Sequence, residues 1–546
     1  MIMKKNILSV ILTIVMAVSL LTGCGASNSG EESPQTTQSA AGQESSDGGQ
    51  AETVLASSDD SQAIIEERKA KAEETGEYQK VIFAFFTWTG RPAGADRIQE
   101  KISEYTRENL GLDVELLILD SAAYAQNVRL MLSSGEQLDI FNSNPLGYTT
   151  VVNDGYCMDL EEDGLLQTYG SGILETINPD YIEACRITGQ IYGLPQMRDM
   201  ALGAATVVIG QEYLDGIGYD YASKEVDDVI YTDWNEIDEI FAQLHETYPD
   251  KYVFAPADNL VSQGSIIDSV GGDNFGVLLD PANSLTVENL FTSDEFLEKC
   301  QIMYDWNQKG YISKDAMTDD TAISAKVKSG SYMSMMAQGK PGYKRQISGE
   351  CGRPMILFQL EDDILKSSAI TSSLWHINQA CEDPVAAMQV LNAFYTDPYL
   401  SNLLMWGEEN VDYVVTEDGH ITFPEGVDAN NAEYYHTMNW LLPNQFIAHI
   451  WEGDSLDLWE RTEAFNENAT TSKALGFSFD NSSYSSEYTA LKNIYDEYSK
   501  QLTYGFIEPE VGLAEMNEKM KAAGLDDYIA AKQAALDEWA AGNGTE

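Results

Sequence analysis

Val81-Ile82-Phe83-Ala84-Phe85-Phe86, Val114-Glu115-Leu116-Leu117-Ile118-Leu119 and Leu138-Asp139-Ile140-Phe141 decide the fold. Each run has the length of a strand, and the first is apolar throughout, as expected of a strand covered on both faces. Between the first two, Ile98, Ile102, Tyr105 and Leu110 recur at near-helical spacing and Gly111 supplies a stop. Between the second and third, residues 122–132 read as a helix closed by Ser133-Ser134-Gly135. Strand, helix, strand, helix, strand is the order of an α/β protein with parallel pairing. Ligands of such sheets sit beyond the carboxyl ends of the strands. Trp88 and Arg91 follow the first strand in a loop marked by Gly90 and Pro92, and Asn142, Asn144 and Tyr148 follow the third. These five side chains are predicted to line one wall of a site.

Outward from this core the pattern continues. Strands are predicted at 191–195, 205–209, 331–336, 355–358 and 373–377. Helices are predicted at 233–248 with Asp233 as cap, at 296–306, at 384–395 with Pro384 in the first turn, and at 487–502, 510–523 and 526–539. The chain has 546 residues, enough for two to four domains. Its 32 Lys and Arg against 88 Asp and Glu give a net charge of −56, which excludes a nucleic-acid partner and adhesion of the folded part to an anionic membrane. Nucleophile-elbow, zinc-protease, P-loop and dinucleotide motifs are missing, and the five His are scattered, so neither a metal nor a cofactor is expected. What stands out is a supply of aromatic and planar polar side chains near predicted loops: besides the five above, Arg198, Trp375, Trp440, Asn444 and Trp451. Sugar rings offer apolar C–H faces to aromatic rings and hydroxyls to amides and guanidinium groups.

The N-terminus reads as a signal peptide over 1–23: Lys4 and Lys5, an apolar run over 7–21, then Leu21-Thr22-Gly23-Cys24. That last tetrad resembles the lipobox of bacterial lipoproteins, which implies lipidation at Cys24. Residues 24–77, rich in Ser, Gln, Gly and Glu at their start, are expected to be a disordered tether, with the folded body beginning near Tyr78. Membrane attachment is expected through the lipid anchor only. The five remaining Cys show no CxxC spacing and read as small buried residues.

Several segments together resemble the extracellular solute-binding lipoproteins of bacterial ABC importers, of the large sugar type. They are residues 127–140, Gly155 with Asp159-Leu160, Gly189 to Pro195 and Pro384 to Pro398. Pro443-Asn444-Gln445-Phe446, Leu475 to Asp480 and Phe506 to Trp539 resemble the tail domain of one subgroup, although Leu442 stands where that subgroup usually has Gly. The resemblance implies a two-lobe periplasmic-binding-protein-like clamshell with hinge strands and a helical C-terminal region. It places the first lobe at 78–198 and 340–409 and the second at 200–338 and 415–546, with crossings near 199–203, 337–339 and 410–414. Gln338, at the second crossing, joins the candidate ligand contacts. It further implies a monomer that closes on a small-molecule ligand and docks on the transmembrane permease. Sugar is favoured over peptide as ligand; a surface glycoside hydrolase and a binding lipoprotein without a transport role are the rival readings.

Overall fold

A computed structural model describes residues 58–543; the signal peptide, Cys24 and most of the expected tether lie outside the described residues. The strand Gln79–Thr87 runs parallel to Leu112–Asp120, pairing Val81 with Val114 and Phe86 with Leu119. Ile140–Asn142 lies parallel on its other side, and Leu374–Ile377 followed by Leu194–Pro195 extend the sheet antiparallel to five strands. The central strand is buried from Phe83 onward, whereas the edge strand alternates, turning Leu112, Val114, Leu116 and Ile118 inward. The helix Ala95–Leu110 covers one face with Ile98 and Ile102, and Gly111 ends it at φ 69°, a conformation that favours glycine.

A second sheet of seven strands is built on Leu202–Gly210. That strand is antiparallel to Tyr332–Gly339 on one side and to Met355–Gln359 and Asp363–Leu365 on the other. Each sheet has its own large core cluster, so the fold is a two-lobe α/β one. The chain passes between lobes three times: from Leu194–Pro195 to Leu202–Gly210, from Asp363–Leu365 to Leu374–Ile377, and through the helix Leu458–Asn468 to Thr470–Thr471.

Two crossings differ from the expectation. The chain does not leave the second lobe at 337–339, because the apolar run Met355–Gln359 pairs with Thr206 to Gly210 and holds residues 340–365 there. Nor does it cross at 410–414: Tyr413, Ile421, Tyr434, Leu441 and Ala448 all pack in the first core. The folded body also begins earlier than Tyr78. The helix Ser58–Thr75 is fastened to the first lobe by Arg68, 9 % exposed, which donates to both carboxylate oxygens of Asp383 (3.2 and 3.1 Å) and to Gln389. Helices Ser485–Thr503, Pro509–Ala522 and Leu525–Asn543 add their apolar faces to the second core.

Among the described residues no helix is long and apolar enough to cross a membrane, and no group of His, Cys, Asp and Glu is arranged to hold a metal ion. Cys157, Cys185, Cys300 and Cys351 are buried free thiols and Cys381 is a half-buried one.

Candidate functional site

Between the lobes lies an open cavity of about 720 Å³, within the range of small-molecule sites. Its first-lobe wall comes mostly from an irregular stretch after the helix Pro398–Trp406. Trp406 closes that helix and meets Trp451 edge-on at 5.6 Å. Trp451 in turn packs on Phe423 (4.7 Å) and Tyr435 (6.0 Å). Indole N–H groups fix the outer rings: Trp406 donates to the His449 carbonyl (3.1 Å) and Trp459 to the Ala448 carbonyl (2.8 Å). These rings are therefore held in place by the protein, and all of them line the cavity.

Behind them, burial pushes the His436 imidazole down to about 4, so it is neutral at ordinary pH. Its Nε2–H donates to the Leu404 carbonyl (3.2 Å), which leaves Nδ1 an acceptor without a partner; Asn439 Oδ1 is a second. Both residues line the cavity.

The facing wall is charged. Lys340 pairs with Asp199 at 3.0 Å, and Arg345, on the helix Tyr343–Cys351, reaches across to pair at 2.5 Å with Asp454, which follows Trp451 on the first-lobe side. Burial pushes the Asp454 carboxyl up against the pull of Arg345. A smaller cavity of about 310 Å³ continues past that pair and shares Gly342, Arg345, Asp454 and Leu458 with the first.

The side chains expected at the site from sequence divide sharply. Trp88, Trp440 and Trp451 line the cavity. Trp88 is 58 % exposed, and its ring lies edge-on to Phe86 with the ring centres 6.3 Å apart. Arg198 stands behind the wall, its guanidinium 5.7 Å from the centre of the Trp440 ring and bonded to the Asp199 carbonyl.

The others serve the fold. Trp375 is fully buried, stacked on Phe83 at 4.3 Å and donating to the Leu441 carbonyl. Asn142 is buried and its side-chain Oδ1 accepts from the Asn144 N–H (2.8 Å) and the Ser373 hydroxyl (2.9 Å), forming a turn. Asn144 is half-buried and donates to the Ser372 carbonyl. Tyr148 is buried against His376 and donates to the Cys185 carbonyl. Asn444 donates to the Tyr395 carbonyl (2.7 Å) and accepts from the Phe446 N–H (2.9 Å). Arg91 folds back onto Asp96 and the Leu116 carbonyl. Gln338 sits within the strand Tyr332–Gly339, away from the cavity lining.

The reading missed Trp406, Phe423, Tyr435, Trp459 and the charged wall. The one available signal was density: residues 421–459 carry aromatics every few positions with neither a helical nor a strand period.

Two α/β lobes joined by three crossings around an aromatic cleft define the architecture of extracellular solute-binding proteins, and the chain has that fold. A carbohydrate ABC transporter substrate-binding protein of Streptococcus pneumoniae serotype 4 is 23 % identical over 470 residues, spanning 84 % of this chain and 90 % of that one. The crystal structure of the N-glycan transport solute binding protein NgtS from Streptococcus pneumoniae matches with a TM-score of 0.74 at 21 % identity, over 84 % of this chain and 98 % of the other. Its complex with Man5GlcNAc matches with a TM-score of 0.62 at 21 % identity over the same shares. Residues 473–541 match a family described as a domain of unknown function (DUF3502).

Proposed function

We propose that this chain is the substrate-binding lipoprotein of an ABC importer, which captures a carbohydrate, and specifically an oligosaccharide, between its lobes and delivers it to a membrane permease without chemically altering it. One observation carries the reading. A cavity of oligosaccharide dimensions has rigid aromatic rings on one wall and hydrogen-bonding charged groups on the other. Aromatic rings suit the C–H faces of sugars, and the Lys340, Arg345, Asp199 and Asp454 side chains suit their hydroxyls. The named ligands and transport role of the relatives support the same class. Binding would close the lobes only as far as the ligand prefers the closed form. In this reading the protein acts as a monomer, attached to the cell membrane by lipid on Cys24 in Leu21-Thr22-Gly23-Cys24.

A thermal-shift panel of monosaccharides, oligosaccharides (Man1GlcNAc, Man5GlcNAc and kestose among them), amino acids and peptides tests it. A ligand at a hundred times its Kd stabilises by about 2.7 kcal/mol, a readily measured rise in melting temperature. The expected result is a rise with at least one oligosaccharide and a smaller radius of gyration in its presence. A rise with peptides alone, or release of sugar hydrolysis products, overturns the proposal. For the anchor, Cys24→Ala is expected to release the protein from the membrane fraction.

A further inference from the structure

The crossing between Asp363–Leu365 and Leu374–Ile377 is tied at Ser367, a fully buried residue. Its N–H and its hydroxyl both donate to Asp268, at 2.7 Å each. Its carbonyl accepts from the N–H of Gly476, inside the 473–541 region, at 2.9 Å. The neighbouring Lys366 donates to the Ser265 carbonyl (2.9 Å) on the same loop as Asp268.

That loop is in turn held by the last helix. Asp273, five residues on from Asp268, accepts from Lys532 Nζ and from the Tyr528 hydroxyl, at 2.8 Å each. Lys532 also donates to the Gly276 carbonyl at 3.0 Å, and both Lys532 and Tyr528 are wholly buried. Backbone bonds between Asp268 and Leu278, at 3.0 and 2.8 Å, close the loop between the two anchor points. Buried polar contacts at both ends of this loop, joined by its backbone over residues 268–278, therefore connect the helix Leu525–Asn543 to Ser367. Nothing in this link touches the cavity lining. Burying a lysine and a carboxylate is costly unless they are paired and fully hydrogen-bonded, and its stabilising effect over an apolar filling is small. What such a network supplies instead is one fixed geometry for the loop it holds.

We infer that the C-terminal helices are a buttress for this crossing: they clamp Ser367 and so set the angle between the lobes in the unliganded protein. The inference depends on the two-lobe fold and not on the identity of the ligand. The first and third crossings are tied to each other instead, Asn466 accepting from the Met200 and Ala201 N–H groups (2.8 and 3.0 Å) and donating to the Arg198 carbonyl (2.7 Å), whereas the crossing at Ser367 is held from the C-terminal region.

The test needs no ligand. Spin labels are placed on the exposed positions Leu130 of the first lobe and Tyr231 of the second, each 63 % exposed, as Leu130→Cys and Tyr231→Cys in a Cys381→Ser background. Pulsed electron-spin distance measurement on the full chain is expected to give one narrow distribution. Asp268→Ala, which cuts the link at the crossing, is expected to widen it about twofold or displace it, and Tyr528→Phe, which removes one bond at the far end, to act in the same direction more weakly. Leu491→Ala, a cavity in the C-terminal core outside the network, is expected to lower the melting temperature without changing the distribution. Should Asp268→Ala fail to fold, Ser367→Ala takes its place. A wild-type distribution in the folded link variants overturns the inference, as does an equal change in Leu491→Ala, which would reduce the effect to general destabilisation.

Discussion

The first-lobe wall of the cleft carries Trp406, Phe423, Tyr435 and Trp451 in mutual ring contact, whereas the facing wall carries Lys340 and Arg345 paired with Asp199 and Asp454. Rings that pack on one another and are pinned by indole hydrogen bonds present the same surface before and after a ligand arrives. The ion pairs are different: Lys340 and Arg345 are flexible side chains of the second lobe that reach Asp199 in a crossing and Asp454 beyond Trp451, so these contacts must break or re-form when the lobes move. The contrast assigns affinity to the first lobe and adjustment on closure to the second.

Acid separates the two regions with the largest effect. His376 and His436 both lie in the first lobe, and burial pushes each down to about 4 from an ordinary value near 6.5. Between those values the unfolded chain takes up protons that the fold refuses. Their contribution is therefore whole above about pH 6.5 and is lost as the pH falls toward 4, at up to about 1.4 kcal/mol per pH unit for each. Denaturant midpoints measured across this window should fall, and His436→Asn should flatten the slope. An unchanged slope in that variant would remove the asymmetry between the lobes.

Trp88→Ala is expected to weaken sugar binding by about 1–3 kcal/mol, roughly ten- to a hundredfold, with the ligand-free melting temperature near wild type because the ring is mostly exposed. Calorimetry on the purified variant decides it; full affinity would show that the rim of the aromatic wall is idle. Arg68→Ala should cost about 1–3 kcal/mol by removing the charged partner of Asp383 and the donor to Gln389. Hydrogen exchange should then rise across Ser58–Thr75 while the cleft keeps its affinity. Arg345→Gln is expected to cost about 1–3 kcal/mol in stability at neutral pH, because the Asp454 carboxylate that loses its charged partner is only 5 % exposed. A large affinity loss there would make the charged wall the dominant one and reverse the contrast.

The regular elements were legible because their physics is local. Apolar runs and helix stops placed Gln79–Thr87, Ala95–Leu110, Trp234–Thr247 and Pro384–Thr396 within a residue or two. Helix Ser58–Thr75 was not, because the partners of Ser61 and Arg68, Gln389 and Asp383, lie more than three hundred positions away. The strand-end rule found Trp88 but also selected Asn142 and Tyr148, since residues leaving a strand serve turns as readily as ligands. Trp375 shows why residue type alone misleads: within one sheet a tryptophan can face solvent or stack on Phe83, and only the register decides. The aromatic wall escaped because its rings are gathered by irregular backbone, whose path follows tertiary contacts and leaves no period to read.

The first sheet is also discontinuous in sequence: Leu374–Ile377, which joins Ile140–Asn142 to Leu194–Pro195, follows the whole of Leu202–Leu365. A chain made from its N-terminus at about 5–20 residues per second reaches that strand on the order of ten seconds or more after Pro195. Throughout that interval the inner edge of the early strands has no partner, and the apolar face that Trp375 will cover has no lid. The order of the strands thus leaves the first sheet incomplete until Ile377 has been made.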